Sequence, residues 1–322
     1  MTVRLLRAAD LEMACPMVDA IDAVADGFTA LSAGQATVPV RLSVPLRHDG
    51  TVLTMPAALA GASSYSVKVV SVAPRNGLAG RPVVMGTVLL GDSATGELLA
   101  LIDGTALTAL RTGAAGGVAA RELSRPGACR VALFGAGAQA RAQLTALACV
   151  RAITDVRVVA RDPAHAAALR QWAAGQPGLG AIALHAAAPK DAVADADIVI
   201  TATTSPTPVF QGGWLGSGVH VTAVGSFTPQ MRELDEETLR GARIVVDQRA
   251  PALAEAGELQ GRSEGDVVEI GEILSGRRPG RTDDAQRTVF KSVGNAIQDL
   301  VVAARAYERA RAQGIGEELA FP

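Results

Sequence analysis

The sequence predicts an α/β protein: a doubly wound parallel sheet joined to a second domain of α+β type. Two observations predict this. From residue 129 short apolar strands alternate with helical segments, and a glycine-rich turn, "GAGAQA", sits between the first of those strands and the first helix. Residues 1–118 lack that alternation and read as a strand-rich half with helices against one side.

In the first half, "LEMACPMVDAIDAVADGFTALSAGQ" carries apolar residues at helical spacing, whereas "TVPVRLSVPL", "YSVKVVSV" and "VVMGTVLLGD" read as strands. "GDSATGELLALIDG" reads as a strand pair around a Gly-containing turn. In the second half "CRVALF", "DVRVVA", "AIALH", "DADIVITAT", "VHVTAV" and "RIVVDQ" are strands, apolar on both faces as burial beneath two helical layers requires. The tail has a strand-like "TVFKSVG" and then the helix "NAIQDLVVAARAYERARAQG", whose Ile297, Leu300, Val301 and Ala304 share a stripe. That helix is expected to leave the parallel-sheet domain and pack on the first one. The domains are therefore 1–118 plus 305–322, and 119–304.

Composition removes several classes of function. Charged residues make up 19% of the 322, net charge is −2 and aromatics are 3%, so there is neither a basic field nor a stacking platform for nucleic acid. The N-terminus has no apolar signal core, and no stretch is apolar enough to span a bilayer. Cys15, Cys129 and Cys149 are scattered and suit thiols in a reducing cytoplasm. The four histidines show no metal-binding spacing, and no metal is expected.

"VALFGAGAQARAQL" places Gly135, Gly137 and Ala140 in G-x-G-x-x-A spacing after a strand and at a helix start, the Rossmann dinucleotide pattern. The helix N-terminus behind Ala136 to Gln139 offers free N–H groups to a pyrophosphate. A plain packing turn is the competing reading of such a motif in an Ala/Gly-rich chain. The second strand ends with Ala160 and Arg161; an Arg there suits a 2′-phosphate and favours NADPH over NADH. Asp162, one step on, fits equally as a helix N-cap, and Arg161 fits as surface charge.

Three cations of the first half stand in unusual company: Arg41, Lys68 and Arg111. Each alone reads as an outward charge. Lys68 fits that least, because Val67, Val69, Val70 and Val72 surround it, and it needs an anionic partner or a lowered pKa. Arg111 precedes Gly113-Ala114-Ala115-Gly116-Gly117, a run of small residues that a helix or a cofactor must approach closely. Arg and Lys beside a nicotinamide suit a small carboxylate.

"PVR" with Arg41, "VKVV" with Lys68, "ALRTGAAGG" with Arg111, "GAGAQA", "VDQRAPALAEAGEL" and "TVFKSVGNAIQDL" together resemble the ornithine cyclodeaminase/mu-crystallin family over nearly the whole chain. The resemblance implies a Rossmann domain plus a substrate and dimerisation domain, and a homodimer. It implies that Arg41, Lys68, Arg111 and Val293 hold a small cyclic imino or amino carboxylate. It implies cofactor contacts from Arg111, Thr112, Gly135, Ala136, Gly137, Ala138, Gln139, Arg161, Thr203, Val224, Gly225, Ser226 and Ser292.

Cyclodeaminases of this family carry an Asp at the end of the fifth Rossmann strand, where this chain reads Val224-Gly225-Ser226. A serine cannot act as a carboxylate base, so the site is expected to lack an acid at that tip. The pattern is similar to the ketimine-reductase branch, which implies NAD(P)H reduction of pyrroline-2-carboxylate or piperideine-2-carboxylate, with Lys68 as the catalytic proton source. Ornithine cyclodeaminase, an amino-acid dehydrogenase and a non-catalytic NADPH-dependent small-molecule binder are the alternatives.

Overall fold

The computed structural model describes residues 2–320, which divide into two units, residues 2–111 with 295–320, and Thr112–Gly294. These breaks fall at 111/112 and 294/295, where the sequence suggested 118/119 and 304/305. The physical reason lies in two helices. One begins in the first unit and runs on into the second. The last helix is committed to the first unit from its first turn.

The first unit holds β1 (Thr2–Leu6), α1 (Ala8–Ala14), α2 (Met17–Ser32), β2 (Ala36–Thr37), β3 (Leu42–Pro45), β4 (Thr51–Leu59), β5 (Ser64–Val72), β6 (Val84–Asp92) and β7 (Leu98–Asp103), then the start of α3 (Gly104–Leu123). Pro16 separates α1 from α2 within the one apolar helical pattern. The β6–β7 hairpin closes as its sequence requires: Asp92 accepts from the N–H groups of Ala94 and Thr95, and Gly96 takes φ +76°. Asp103 likewise accepts from Thr105 and Ala106 and starts α3.

The second unit is the parallel layer: β8 (Arg130–Phe134), α4 (Ala138–Val150), β9 (Asp155–Val159), α5 (Pro163–Ala174), β10 (Ala183–Ala186), α6 (Pro189–Ala194), β11 (Ile198–Thr201), β12 (His220–Ala223), α7 (Glu236–Leu239), β13 (Arg243–Val246), α8 (Arg249–Glu255), β14 (Val268–Glu269), α9 (Ile270–Leu274) and β15 (Thr288–Lys291). The chain then returns to the first unit as α10 (Ala296–Gln313) and β16 (Glu317–Ala320).

The first sheet runs β16-β1-β7-β6-β5-β4-β2, with β3 on β4; it is antiparallel except between β1 and β7. α10 packs on α2 and on β4, β5 and β6. Its buried residues are Ala296, Ile297, Gln298, Asp299, Leu300, Val302, Ala303, Ala306 and Ala310. Val301 and Ala304 of the expected stripe are only half-buried, and the polar pair Gln298-Asp299 has turned inward instead.

The second sheet runs β10-β9-β8-β11-β12-β15-β13-β14, every pairing parallel. Strand order reverses between β8 and β11, and a crevice beyond the carboxyl ends of the strands at such a reversal is where ligands bind in open α/β sheets. β15, late in the chain, is inserted between β12 and β13. β11, β12 and β15 are buried along their whole length, so both faces are apolar-packed as in other parallel sheets.

Candidate functional site

In the second unit the "GAGAQA" turn lies at the β8/β11 reversal. Gly135 takes φ +104°, and a Cβ there would stand 2.5 Å from the carbonyl oxygen of Ala202 and 3.6 Å from Thr203 Cγ2. Both backbone shape and closeness therefore demand glycine. Gly137 differs: its φ is −83° and a Cβ would meet only open space. Nothing among the described residues explains the missing side chain, and a bound pyrophosphate would. The first intrahelical bond of α4 is from Arg141 N to Gly137 O at 3.1 Å, and no side chain caps the helix. The N–H groups of Ala138, Gln139 and Ala140 are thus left for an anion. Ala140 is wholly buried and packs with Leu133 and Leu144 in the core. The residues fit a dinucleotide.

Asp162 is the N-cap of α5, its Oδ1 accepting from Ala164 N at 2.8 Å with Pro163 in the first turn. Arg161 is left exposed beyond the end of β9. The small-residue run of α3 is explained from within the same unit. A Cβ on Gly116 would overlap the Gln143 side-chain amide, and Gln143 Nε2 donates to Thr112 O at 2.7 Å. The close approach is made by α4.

The tips of β11 and β12 correct one expectation. The region of Ser226 is not free of acids: Glu233 and Glu258, 0% and 2% exposed, fold in beside it. Glu233 accepts from Thr203 N at 2.7 Å, Thr203 Oγ1 at 2.8 Å, Gly225 N at 2.8 Å and Ser226 N at 3.2 Å. One carboxylate thereby ties together the ends of two neighbouring strands. Ser226 Oγ donates to Glu258 Oε1 at 2.5 Å, and Lys291 Nζ donates to both Ser226 O and Ser226 Oγ at 2.6 Å. Ser226 is wholly buried, so its hydroxyl serves this network. Val224 and Gly225 are half-buried beside Thr203. Ser292 Oγ donates to Asp247 Oδ2 at 2.8 Å, and Val293 packs in the apolar core of this unit.

The first unit brings the cations together. Lys68, on the interior strand β5, is 1% exposed and faces away from solvent opposite Met55 and Val88. Its Nζ lies 2.7 Å from Asp299 Oδ2, and Arg111 Nε lies 3.1 Å from Asp299 Oδ1. Arg111 Nη1 also donates to Gln298 Oε1 at 2.8 Å. Arg41, half-buried just before β3, acts on the same lysine. Burial first, then the charge of Arg111 and that of Arg41, pull the Lys68 pKa down to about 8 against the opposing pull of Asp299. Within the pair set against Asp299, one guanidinium and one ammonium share a single carboxylate, an arrangement suited to a small anion.

The anionic partner that Lys68 requires is therefore Asp299, a residue that its sequence neighbourhood hides. In "NAIQDL" an Asp in the first turn after an Asn cap reads as ordinary helix-dipole decoration. The usable signal is that Gln298 and Asp299 interrupt an otherwise apolar face. Glu233 and Glu258 carry no local signal; only the fold gathers them. Among the described residues no group of three or more His, Cys, Asp and Glu side chains could hold a metal, and no helix is long and apolar enough to cross a membrane.

The profile of the ornithine cyclodeaminase/mu-crystallin family matches residues 2–314. A Delta(1)-pyrroline-2-carboxylate reductase of Bacillus cereus is 40% identical over 299 residues, 90% of this chain and 91% of the relative. Among solved structures, Delta(1)-pyrroline-2-carboxylate reductase of Thermococcus litoralis, in complex with NADH and L-proline, superposes with TM-score 0.92 at 38% identity, covering 98% of this chain and 99% of that one. An archaeal alanine dehydrogenase dimer with bound NAD reaches TM-score 0.92 at 32% identity, with both chains covered completely.

Proposed function

The chain belongs to the ornithine cyclodeaminase/mu-crystallin family, and from that premise we propose that it is an NAD(P)H-dependent ketimine reductase. Its substrates are pyrroline-2-carboxylate or piperideine-2-carboxylate, and its products L-proline or L-pipecolate. The observation that carries this reading is the buried pair of Lys68 and Arg111 sharing the carboxylate of Asp299, with the charge of Arg41 acting on the same lysine. The similarity to pyrroline-2-carboxylate reductases points the same way.

A bound nicotinamide supplies the hydride. The protein's residues do the rest. Arg111 is held along Nε and Nη1 by α10, while its Nη2 takes no partner among the described residues and is placed for a substrate carboxylate. Arg41 adds a second positive charge. Lys68 lies against Asp299 and has its pKa lowered to about 8, so it can release a proton to an imine nitrogen. A cyclic imine already contains its C=N bond, so no group is needed to expel ammonia. This agrees with Glu233 and Glu258 being buried beneath the strand tips, Glu233 by four hydrogen bonds.

The exposed Arg161, with Asp162 withdrawn as a helix cap, favours NADPH; NADH, bound in the solved Thermococcus litoralis reductase, is the alternative. We further infer a homodimer. Leu42, Val44, Val69 and Met85 share one face of the first sheet and are 64%, 45%, 40% and 41% exposed, an apolar face opposite to the one carrying Lys68. Three free thiols suit a cytoplasmic location.

The test is nicotinamide absorbance with pyrroline-2-carboxylate, piperideine-2-carboxylate, pyruvate plus ammonia, and L-ornithine in parallel. The cyclic imines should turn over fastest. Ammonia release from L-ornithine would make the protein a cyclodeaminase, and preference for pyruvate plus ammonia an alanine dehydrogenase.

A further inference from the structure

We propose that Asp299 is a positioning residue of the imine-reducing site: it keeps Lys68 as an ammonium and fixes the Arg111 guanidinium, so one carboxylate sets both the proton donor and the substrate anchor. For its catalytic consequence the inference rests on the reductase reading above. Its electrostatic content does not.

Asp299 is 0% exposed and divides its two oxygens between the two cations, Oδ2 to Lys68 Nζ at 2.7 Å and Oδ1 to Arg111 Nε at 3.1 Å. It stands in the first turn of α10, whose start is fixed by Asn295 accepting from Ile297 N at 3.0 Å. Gln298, the preceding residue, holds Arg111 Nη1 at 2.8 Å, so a single helical turn orients the guanidinium along two of its nitrogens. The charged groups set against Lys68 are Arg111 from α3, Arg41 from the segment before β3, and Asp299 from α10. Asp299 is the only anion of the three. Without it an ammonium would face two guanidiniums in a dry interior, where the neutral amine is favoured.

Residue usage adds an independent point. The chain has three lysines, Lys68, Lys190 and Lys291, and arginine supplies all its other basic side chains except histidine. Arginine does not give up its proton in proteins, whereas lysine does when desolvated. A lysine placed between two arginines, with one carboxylate to hold its proton, is built for proton transfer and not for charge alone.

The scarcity of lysine also makes the experiment tractable. In the full chain labelled at lysine Cε and Nζ, NMR resolves three side chains, and Lys68→Arg assigns the one in question. Wild-type Lys68 should titrate near pH 8. In Asp299→Asn the titration should move to lower pH by at least about one unit, a tenfold loss of proton affinity. Asp299→Glu, which keeps the charge, should stay near the wild-type value. In turnover, the alkaline fall of kcat/KM should follow the same shift in Asp299→Asn, while Asp299→Glu should chiefly raise KM for the imine, because Arg111 is displaced. An unmoved Lys68 titration in Asp299→Asn overturns the proposal, as does a wild-type Lys68 already neutral at pH 7, which needs no variant. If the wild-type protein reduces no imine, the reductase reading fails while the NMR result still decides the role of Asp299. If imines are reduced and the alkaline limb ignores Asp299, the proposal fails and the reductase reading stands.

Discussion

Two buried lysines, one in each unit, show how the same residue type serves opposite ends. Lys291 at the end of β15 is 0% exposed, and its Nζ makes two bonds of 2.6 Å to Ser226 with Glu258 Oε1 at 3.8 Å. Its two bonded neighbours are acceptors on one residue, so Lys291 braces the loop after β12. Lys68 in the middle of β5 is as deeply buried but faces two arginines and one aspartate. Its charge is held against opposition, which makes the proton transferable. Burial alone does not separate structural from functional lysines; the sign of the surrounding charge does.

The comparison is broken most directly at Lys68. Lys68→Met should lower kcat by ~10²–10⁴-fold, the usual worth of a positioned proton donor, and should also destabilise the fold, because Asp299 Oδ2 loses its cation while Oδ1 keeps Arg111. Near-wild-type turnover would return Lys68 to the structural class. Lys291→Met should cost stability alone. It leaves Glu258 buried without its cation, at a cost of about 3–5 kcal/mol in urea unfolding. Loss of activity with unchanged unfolding midpoint would put Lys291 in the chemistry instead.

A third buried titratable group sharpens the contrast. His220 at the start of β12 has its pKa pushed down from 6.5 to about 3, chiefly by burial and then by Arg281 and Arg151. Its two ring nitrogens sit 2.9 Å from Thr288 Oγ1 and 3.0 Å from Thr222 Oγ1. The unfolded chain binds this proton from pH 6.5 downward and the folded chain does not. Stability from this group is therefore present above pH 6.5 and is lost as pH falls towards 3, at up to about 1.4 kcal/mol per pH unit. Urea unfolding of His220→Gln across that window should show a shallower acid loss; an identical slope would exonerate His220.

The smallest effect contrasts two glycines of the second unit. Gly137→Ala should leave the melting temperature unchanged, since its Cβ meets open space, yet weaken NAD(P)H binding by about tenfold, roughly 1.4 kcal/mol. Gly116→Ala should instead destabilise the fold by displacing Gln143. Equal cofactor affinity in wild type and Gly137→Ala, read by fluorescence titration, would sink the pyrophosphate assignment.

Much of this was legible in the sequence because it is local. The alternation from β8 to β11, the Gly135 turn, the Asp162 cap and the β6–β7 hairpin each follow from residues within a few positions of one another. The need of Lys68 for an anion was readable too, since its flanking valines define a dry strand. The identity of that anion was not, because Asp299 lies far along the chain, in a helix with no local tie to β5. The same distance problem hid Glu233 and Glu258 beside Ser226, and their arrival reverses the expectation of a strand tip without acids.

Periodicity and turn chemistry by themselves determined the α/β class, the dinucleotide turn and the set of suspicious cations, since each depends on short-range sterics and hydration. Tertiary structure alone decided that β15 is inserted between β12 and β13, and that α10 carries Asp299 between Lys68 and Arg111. The physical reason is that charge pairing and strand order are set by distances in space, and those distances exist only once the chain has closed its long-range contacts.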